Sequence, residues 1–295
     1  MNHSSLEIFQ VVAEELSIVK AAKRLGRVQS NVTTRIQLLE EDLGVMLFIR
    51  ENKKLRLSPE GKKFLAYTKK ILSLAQEARQ SLHPGMPVGK LALGSMECTA
   101  ASRIAKPLAE FCRSFPEVTV NLSTHHTQLL TEKVLLSELD CALVALPTGR
   151  RGNIECHENL HFKPLFTEEL RLVLPVGMRG LNNLDDIEEG RLAAFARGCT
   201  YREIAVRLLK NMAESGKQVQ IQEINSYHSM LACVASGGYM CVLPESVLNL
   251  LQLPDGLSVL PAGTATTQLI WRKDYSSPAM DNLLKILQKT SNIPV

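Results

Sequence analysis

The 295-residue sequence predicts an α/β protein in three parts: a small helical head with a two-stranded hairpin, one long connecting helix, and a two-lobed α/β region. Three observations carry this prediction. Apolar residues recur at helical spacing through residues 18–43 and then give way to two short extended segments. A series of apolar steps of four and three residues follows over 64–82 and stops at a Pro- and Gly-rich breaker, HPGMPVG, at 83–89. From residue 90 onward, strand-like segments alternate with helical periodicity, the pattern of an α/β sheet with parallel strands.

In the head, Ile18, Ala21, Ala22 and Leu25 lie on one face of a first helix, and Val32, Ile36, Leu39 and Leu43 on one face of a second. Ser17 is placed to cap the first helix, and Gly26 suits the turn between the two. The second helix then exposes Gln29, Ser30, Asn31, Thr33, Thr34, Arg35 and Gln37, short hydrogen-bonding groups with one guanidinium. Such a face can read base edges in a major groove or hold phosphates. Gly44 ends the helix, and Phe48 to Glu51, including Arg50, pairs with Leu55 to Leu57 across a basic tip of Asn52, Lys53 and Lys54. This is the layout of a winged helix-turn-helix over residues 1–58, whose tip suits a DNA backbone or minor-groove contact. The plain alternative is a solvated helical face.

Charge bears on that choice. Residues 1–87 hold 14 basic and 9 acidic side chains, a surplus of five positive charges. Residues 88–295 hold 20 basic and 21 acidic ones. A positive field concentrated at one end favours docking of a polyanion, here double-stranded DNA.

Met1 to Ser17 includes acidic residues and lacks an apolar signal core, and no run of about eighteen apolar residues could span a bilayer. A cytoplasmic protein without a membrane partner is expected. Seven cysteines at 98, 112, 141, 156, 199, 233 and 241, without CxxC pairs, read as free thiols in a reducing compartment.

Ser58, Pro59 and Glu60 supply a cap, a first-turn proline and a first-turn carboxylate for a long helix. Phe64, Thr68, Ile71, Ala75, Ala78 and Leu82 form a heptad seam along it, so residues 59–89 read as a dimerising linker and hinge. A helix packed on its own domain is the alternative.

Beyond it, Leu91 to Gly94, Val118 to Leu122, Ala142 to Leu146 and Leu170 to Pro175 read as strands, with helices over Ala101 to Phe115 and Leu129 to Leu136. A second set comprises Leu192 to Ala196, the helix Tyr201 to Ser215, Val219 to Ile224, the helix Ser229 to Ser236, and Met240 to Leu243. The chain then returns through Gln268 to Trp271 and a closing helix, Ala279 to Lys289. Residues 90–295 therefore divide into lobe I (about 90–165 and 266–295) and lobe II (about 166–265). A ligand cleft is expected between them.

The head motif AAKRLGRVQSNVTTRIQLLEEDLGVMLFIR contains Ala21, Ala22, Leu25, Gln29, Val32, Ile36, Leu39, Glu40, Leu43, Gly44, Leu47, Phe48 and Arg50, followed by Leu57, Ser58 and Gly61. On these residues, and over essentially its whole length, the chain resembles the LysR-type transcriptional regulators. Val28 stands where that family commonly has Ser or Thr, and Glu60 where Ala is common. The segments 94–103, 196–202 and 226–237 are similar to a subgroup that includes regulators of putrescine and glutamate metabolism. The resemblance implies a C-terminal region like periplasmic binding proteins, paired linker helices in a homodimer or homotetramer, and no cofactor. It also implies a small effector between the lobes that changes DNA bending or contact with RNA polymerase.

The residues place that effector. Ser95, Met96, Glu97, Cys98 and Thr99 follow a strand and open a helix, so backbone N–H groups there favour a negative ligand group. Thr124, His125 and the residues to Thr127 follow the second strand. Cys199, Thr200, Tyr201 and Arg202 open a helix on the other lobe, where Arg202 either forks onto a carboxylate or stands exposed without a partner. Tyr227, with Ser226 and His228, opens one more helix near the hinge. Cys98 replaces an expected Ser and His125 an expected Gly. A metal on His125 and His126 is disfavoured because consecutive residues seldom face one ion. A redox switch through Cys98 and Cys199 would draw on thiol pKa values lowered at helix N-termini, but buried, inert cysteines are the commoner outcome.

An enzyme is the rival from another class. The chain lacks a GxSxG elbow, a P-loop, a GxGxxG turn and an HExxH helix. Asp140, Glu168 and Glu169 have no evident basic partner, and Glu97 alone makes no mechanism. A transporter's solute-binding protein would share the cleft but not the head or the missing leader. No catalytic residue is expected.

Overall fold

The computed structural model describes residues 1–51, 54–82, 87–149, 153–178, 180, 187, 191–209, 220–291 and 293. They form two compact units, an N-terminal head with its long helix and a larger α/β unit.

The head opens with a helix absent from the sequence reading, α1 (His3–Glu15). Asn2 Oδ1 accepts the Ser5 N–H at 2.9 Å, and Leu6, Ile8, Phe9, Val12 and Ala13 are buried along its inner face. Ser17 Oγ accepts the Lys20 N–H at 3.4 Å and caps α2 (Ile18–Leu25), which ends at Gly26 in the left-handed region (φ 62°). Next comes α3 (Gln29–Leu43), closed by Gly44 at φ 68°. Val28 precedes it, and no side chain caps this helix. Ala21 and Ala22 of α2 pack with Val32, Ile36 and Leu39 of α3 around Phe9, whose ring lies 5.4 Å from Phe48 and 5.2 Å from Phe64.

Strands β1 (Phe48–Glu51) and β2 (Lys54–Leu57) pair antiparallel, Phe48 opposite Leu57 and Glu51 opposite Lys54. Lys54, expected in the hairpin tip, is therefore the first residue of β2. Asn52 and Lys53 lie outside the described residues. Ser58 Oγ accepts the Gly61 N–H at 2.8 Å and donates to Met46 O at 2.6 Å, which fixes the start of α4 (Pro59–Ser81). At Gly61 a Cβ would collide with the Leu47 carbonyl, so α4 can approach this closely only through glycine. The expected seam is shared out: Phe64 packs on the head core and Thr68 is buried, whereas Tyr67, Ile71, Leu74 and Leu82 stand exposed. The breaker residues 83–86 are outside the described residues.

The larger unit runs β3 (Gly89–Ser95), α5 (Glu97–Ser102), α6 (Ala105–Ser114), β4 (Val118–Thr124), α7 (Thr127–Leu135), β5 (Cys141–Val144) and β6 (Leu160–Leu174). It continues with β7 (Arg191–Ala194), α8 (Thr200–Leu208), β8 (Gln220–Glu223), α9 (Tyr227–Ala235), β9 (Tyr239–Pro244), α10 (Glu245–Leu248), β10 (Ser258–Arg272) and α11 (Pro278–Lys289). Eight strands form one curled sheet in the order β4-β3-β5-β10-β6-β9-β7-β8.

The expected parallel strands lie toward the two ends, where β3 pairs with β4 and β5, and β7 with β8 and β9. The middle is antiparallel: β10 against β5 and β6, and β6 against β9. These two 15-residue strands cross from one lobe to the other. Only their ends, Leu170–Leu174 and Gln268–Trp271, were legible as strands, because Pro164 and Pro261 interrupt the pattern. Both prolines border irregularities in the β6–β10 register, the places where a strand tolerates a residue without a donor. The single helix expected over Ala101 to Phe115 is two, broken at Arg103 and Ile104. The helix expected over Tyr201 to Ser215 is described to Leu208, and residues 210–219 are outside the described residues.

Among the described residues, two clusters form the core of this unit, and the second also takes in Leu130, Val134 and Ala142 of lobe I. Leu91, Leu93, Phe111, Leu143, Phe166 and Leu269 are buried with Leu283 and Leu287 of α11. On the other side Leu172, Leu192, Leu231, Val234, Met240 and Leu243 are buried together.

Candidate ligand cleft and nucleic-acid interface

In the head, α3 presents Gln29, Ser30, Asn31, Thr33, Thr34 and Gln37 to solvent, with Arg35 half-buried among them. Their apolar partners on the same helix face the core, so periodicity alone produces this polar surface. Thr33 Oγ1 donates to Gln29 O at 3.0 Å, the usual resting contact of a helical threonine. Arg50 on β1 and Lys54 on β2 are exposed. Ser17, tied to its capping contact, is half-buried.

In the larger unit the carboxyl ends of the parallel strands β3, β4, β7 and β8 converge on a cavity of about 200 Å³. Met96, Glu97 and Cys98 line it after β3, and Thr124, His125, His126 and Thr127 after β4. Phe195, Ala196, Cys199 and Tyr201 line it after β7, and Asn225 and Tyr227 after β8. The Phe195 and Tyr227 rings meet edge-to-face at 5.0 Å. The lobes touch beside the cavity. Gln128 N–H donates to Gly198 O at 3.2 Å, and Gly198, at φ 90°, leaves the His126 ring the space that a Cβ would fill. Thr200 Oγ1 donates to Ala145 O at 2.5 Å, and Ser102 Oγ to Ser246 Oγ at 3.1 Å.

Burial sets the chemistry of the cavity wall. It pushes the Cys98 thiol up to about 11, and the thiol donates to Tyr201 Oη at 3.6 Å. It also raises Cys199, although the Arg202 and Tyr201 N–H groups act in the opposite sense. Desolvation thus outweighs the helix N-termini at both thiols, in keeping with buried, inert cysteines and against the redox switch. Burial likewise raises Tyr201 and Tyr227 well above the usual phenol range. His125 is lowered by burial, with Lys133 and His126 adding to the effect.

Two matches decide the family: residues 3–62 fit the bacterial regulatory helix-turn-helix protein, lysR family, and residues 84–292 the LysR substrate binding domain. The chain belongs to the LysR family. This LysR protein is 36% identical over 283 residues to YusT of Bacillus subtilis (strain 168), an uncharacterized HTH-type transcriptional regulator, covering 93% of this chain and 90% of that one. Its fold is that of full-length OxyR from Pseudomonas aeruginosa, with a TM-score of 0.73 and 21% identity over 100% of this chain and 99% of that one. It is also that of full-length CbnR complexed with its target DNA, with a TM-score of 0.68 and 23% identity over 99% and 100%. The chain is a DNA-binding transcriptional regulator with a substrate-binding domain, and not an enzyme. No described helix is long and apolar enough to cross a membrane.

Of the effector residues expected from sequence, the LysR fold brings Met96, Glu97, Cys98, Thr124, His125, Cys199 and Tyr227 to the cavity. Four others are elsewhere. Ser95 is fully buried and donates to Met96 O at 3.0 Å, and Thr99 is buried with its Oγ1 3.7 Å from Cys98 Sγ. Thr200 is spent on Ala145 O. Arg202 neither reaches the cavity nor lacks a partner: its Nη1 donates to Glu223 Oε1 at 2.7 Å and to Phe195 O at 3.0 Å. Glu168, expected without a basic partner, receives Arg103 through both oxygens, at 2.7 and 3.1 Å. Phe195, Ala196 and Asn225 went unread. Each directly follows a strand whose carboxyl end meets the cavity, and that position was the available signal.

Proposed function

We propose that this regulator senses a small metabolite of the carboxylate, amino-acid or polyamine type in the cleft between its lobes and transmits its presence to a DNA-bound head. The observation that carries the reading is the cavity of about 200 Å³ walled by both lobes, since a ligand touching both biases their closure. In this reading α3 enters the major groove with Gln29, Ser30, Asn31, Thr33, Thr34 and Arg35, while Arg50, Lys53 and Lys54 hold the backbone. Residues 1–58 act as the DNA reader, 59–89 as the linker and 90–295 as the sensor. The exposed row of Tyr67, Ile71 and Leu74 on α4, with Leu82 just past its end, supports pairing of two such helices in a homodimer, or in a homotetramer built from two. Effector binding then alters DNA bending or contact with RNA polymerase in the cytoplasm.

A footprint of the purified protein on the DNA upstream of its own gene, with and without amines, amino acids and carboxylates, tests this. Protection over two adjacent sites that changes with one compound is expected. Protection unchanged by every compound that binds would overturn the sensor reading.

A further inference from the structure

The charge of the cavity wall bears on which of those ligand classes fits. Among the described residues lining it there is no Lys or Arg, and Glu97 is the one carboxylate, beside the imidazoles of His125 and His126. The Glu97 carboxylate is exposed and lines the cavity from the first turn of α5. Of the cations nearby, Arg202 is committed to Glu223 and Arg103 to Glu168, while Lys133 acts on His125 without lining the cavity. Arg197, on the loop between two lining residues, is exposed and does not line the cavity.

At α7, α8 and α9 the backbone donors, the other means of holding an anion, already have partners. Leu129 N–H donates to His126 Nδ1 at 3.3 Å and Gln128 N–H to Gly198 O, which uses the first turn of α7. Ser226 Oγ accepts the Ser229 N–H at 3.2 Å and caps α9. The Tyr201 and Arg202 N–H groups of α8 act on the Cys199 sulfur. A carboxylate entering here meets the like charge of Glu97, and at α7, α8 and α9 it meets helix ends that already have partners, so the negative group expected from sequence is disfavoured.

A cation meets the opposite. Glu97 offers a counter-charge, and the aromatic faces of Phe195 and Tyr227 attract an ammonium group while burying a hydrocarbon body. Size limits the body: an apolar cavity of about 150 Å³ accepts benzene, so about 200 Å³ accepts one ring with a tail of two or three atoms.

We propose that the cleft takes a small organic amine with an apolar body, its ammonium group at Glu97 and its body against Phe195 and Tyr227. This rests on the cleft being the effector site, as proposed above.

Isothermal titration of the full-length protein with 2-phenylethylamine, 2-phenylethanol and 3-phenylpropanoate tests it, because the three share a ring and differ in head-group charge. The amine is expected to bind at least tenfold tighter than the alcohol, with no measurable heat from the propanoate. Glu97→Gln is expected to bring the amine down to the alcohol's affinity, and Ala196→Trp, which fills the cavity, to abolish amine binding in a variant shown by circular dichroism to be folded. Tighter binding of the propanoate, or no binding by any of the three, overturns the amine class. If the propanoate binds and Ala196→Trp abolishes that binding, the cleft reading stands while the charge assignment falls. Amine binding unchanged in Ala196→Trp overturns the cleft reading itself.

Discussion

Glu40 Oε1 accepts the backbone N–H groups of Leu47 and Phe48, at 2.7 and 3.0 Å, and so ties α3 to the first strand of the hairpin. The residue is only 9% exposed, and one carboxylate oxygen serves two buried donors. Glu40→Ala leaves both unsatisfied. At about 1–3 kcal/mol for each such donor, a loss of roughly 2–6 kcal/mol is expected, and Glu40→Gln, which keeps one acceptor oxygen, recovers part of it. Urea unfolding of the full-length protein followed by circular dichroism checks this. An alanine variant as stable as wild type would show that water takes the carboxylate's place.

Residues on α3 and on the hairpin should fail differently. Gln29 is an exposed group that can pair with a base edge, so Gln29→Ala is expected to cost about 1–3 kcal/mol on the operator and to relax preference at one base position. Lys54 is an exposed ammonium group on β2, so Lys54→Ala is expected to weaken binding to every duplex and lower the slope of log affinity against log salt by about 1. Fluorescence anisotropy across a salt series separates the two. Identical salt slopes for Lys54→Ala and wild type would remove the hairpin from the DNA contact.

The head was legible because its signals are local: Ser17 beside an apolar period, Gly26 and Gly44 at φ values that glycine adopts easily, and Phe48 in phase with Leu57. Its first helix was missed although Phe9 and Val12 fall on one face, since no turn signal beyond Asn2 announces it. In the sensor unit, the strand ends told which loops meet the cavity. They could not tell which side chains of those loops point into it. Thr99 and Thr200 lie one residue past Cys98 and Cys199, and that single step turns each hydroxyl into the protein. The fate of Arg202 depended on Glu223, a residue on another strand whose approach no spacing encodes.

Arg103 and Glu168 form a two-point pair of unequal burial: the Arg103 side chain is 30% exposed and the Glu168 side chain 2%. Removing the exposed partner should therefore cost more than removing the buried charge. Arg103→Met leaves a carboxylate in the interior, with an expected loss of about 3–5 kcal/mol. Glu168→Gln leaves a guanidinium that still reaches water, with an expected loss nearer 1 kcal/mol. Urea midpoints of the two variants check the order, and equal losses would mean that the carboxylate is hydrated in solution.

The thiols give a test of cavity burial that is independent of any ligand. Cys98, 2% exposed and pushed up to about 11, holds only about a thousandth of its sulfur as thiolate at pH 8. Cys112 is exposed on α6. Labelling with a thiol-reactive disulfide at pH 8 is expected to modify Cys112 first, and Cys112→Ser should remove the fast phase. The Cys98 rate should rise about tenfold per pH unit and level off only near pH 11, because a raised pKa withholds the thiolate until that point. Peptide mapping assigns each phase. Rapid, pH-independent labelling of Cys98 near neutrality would mean that the cavity wall opens to water far more than the packing of Tyr201 over Cys98 allows, and the redox switch set aside on burial grounds would have to be considered again.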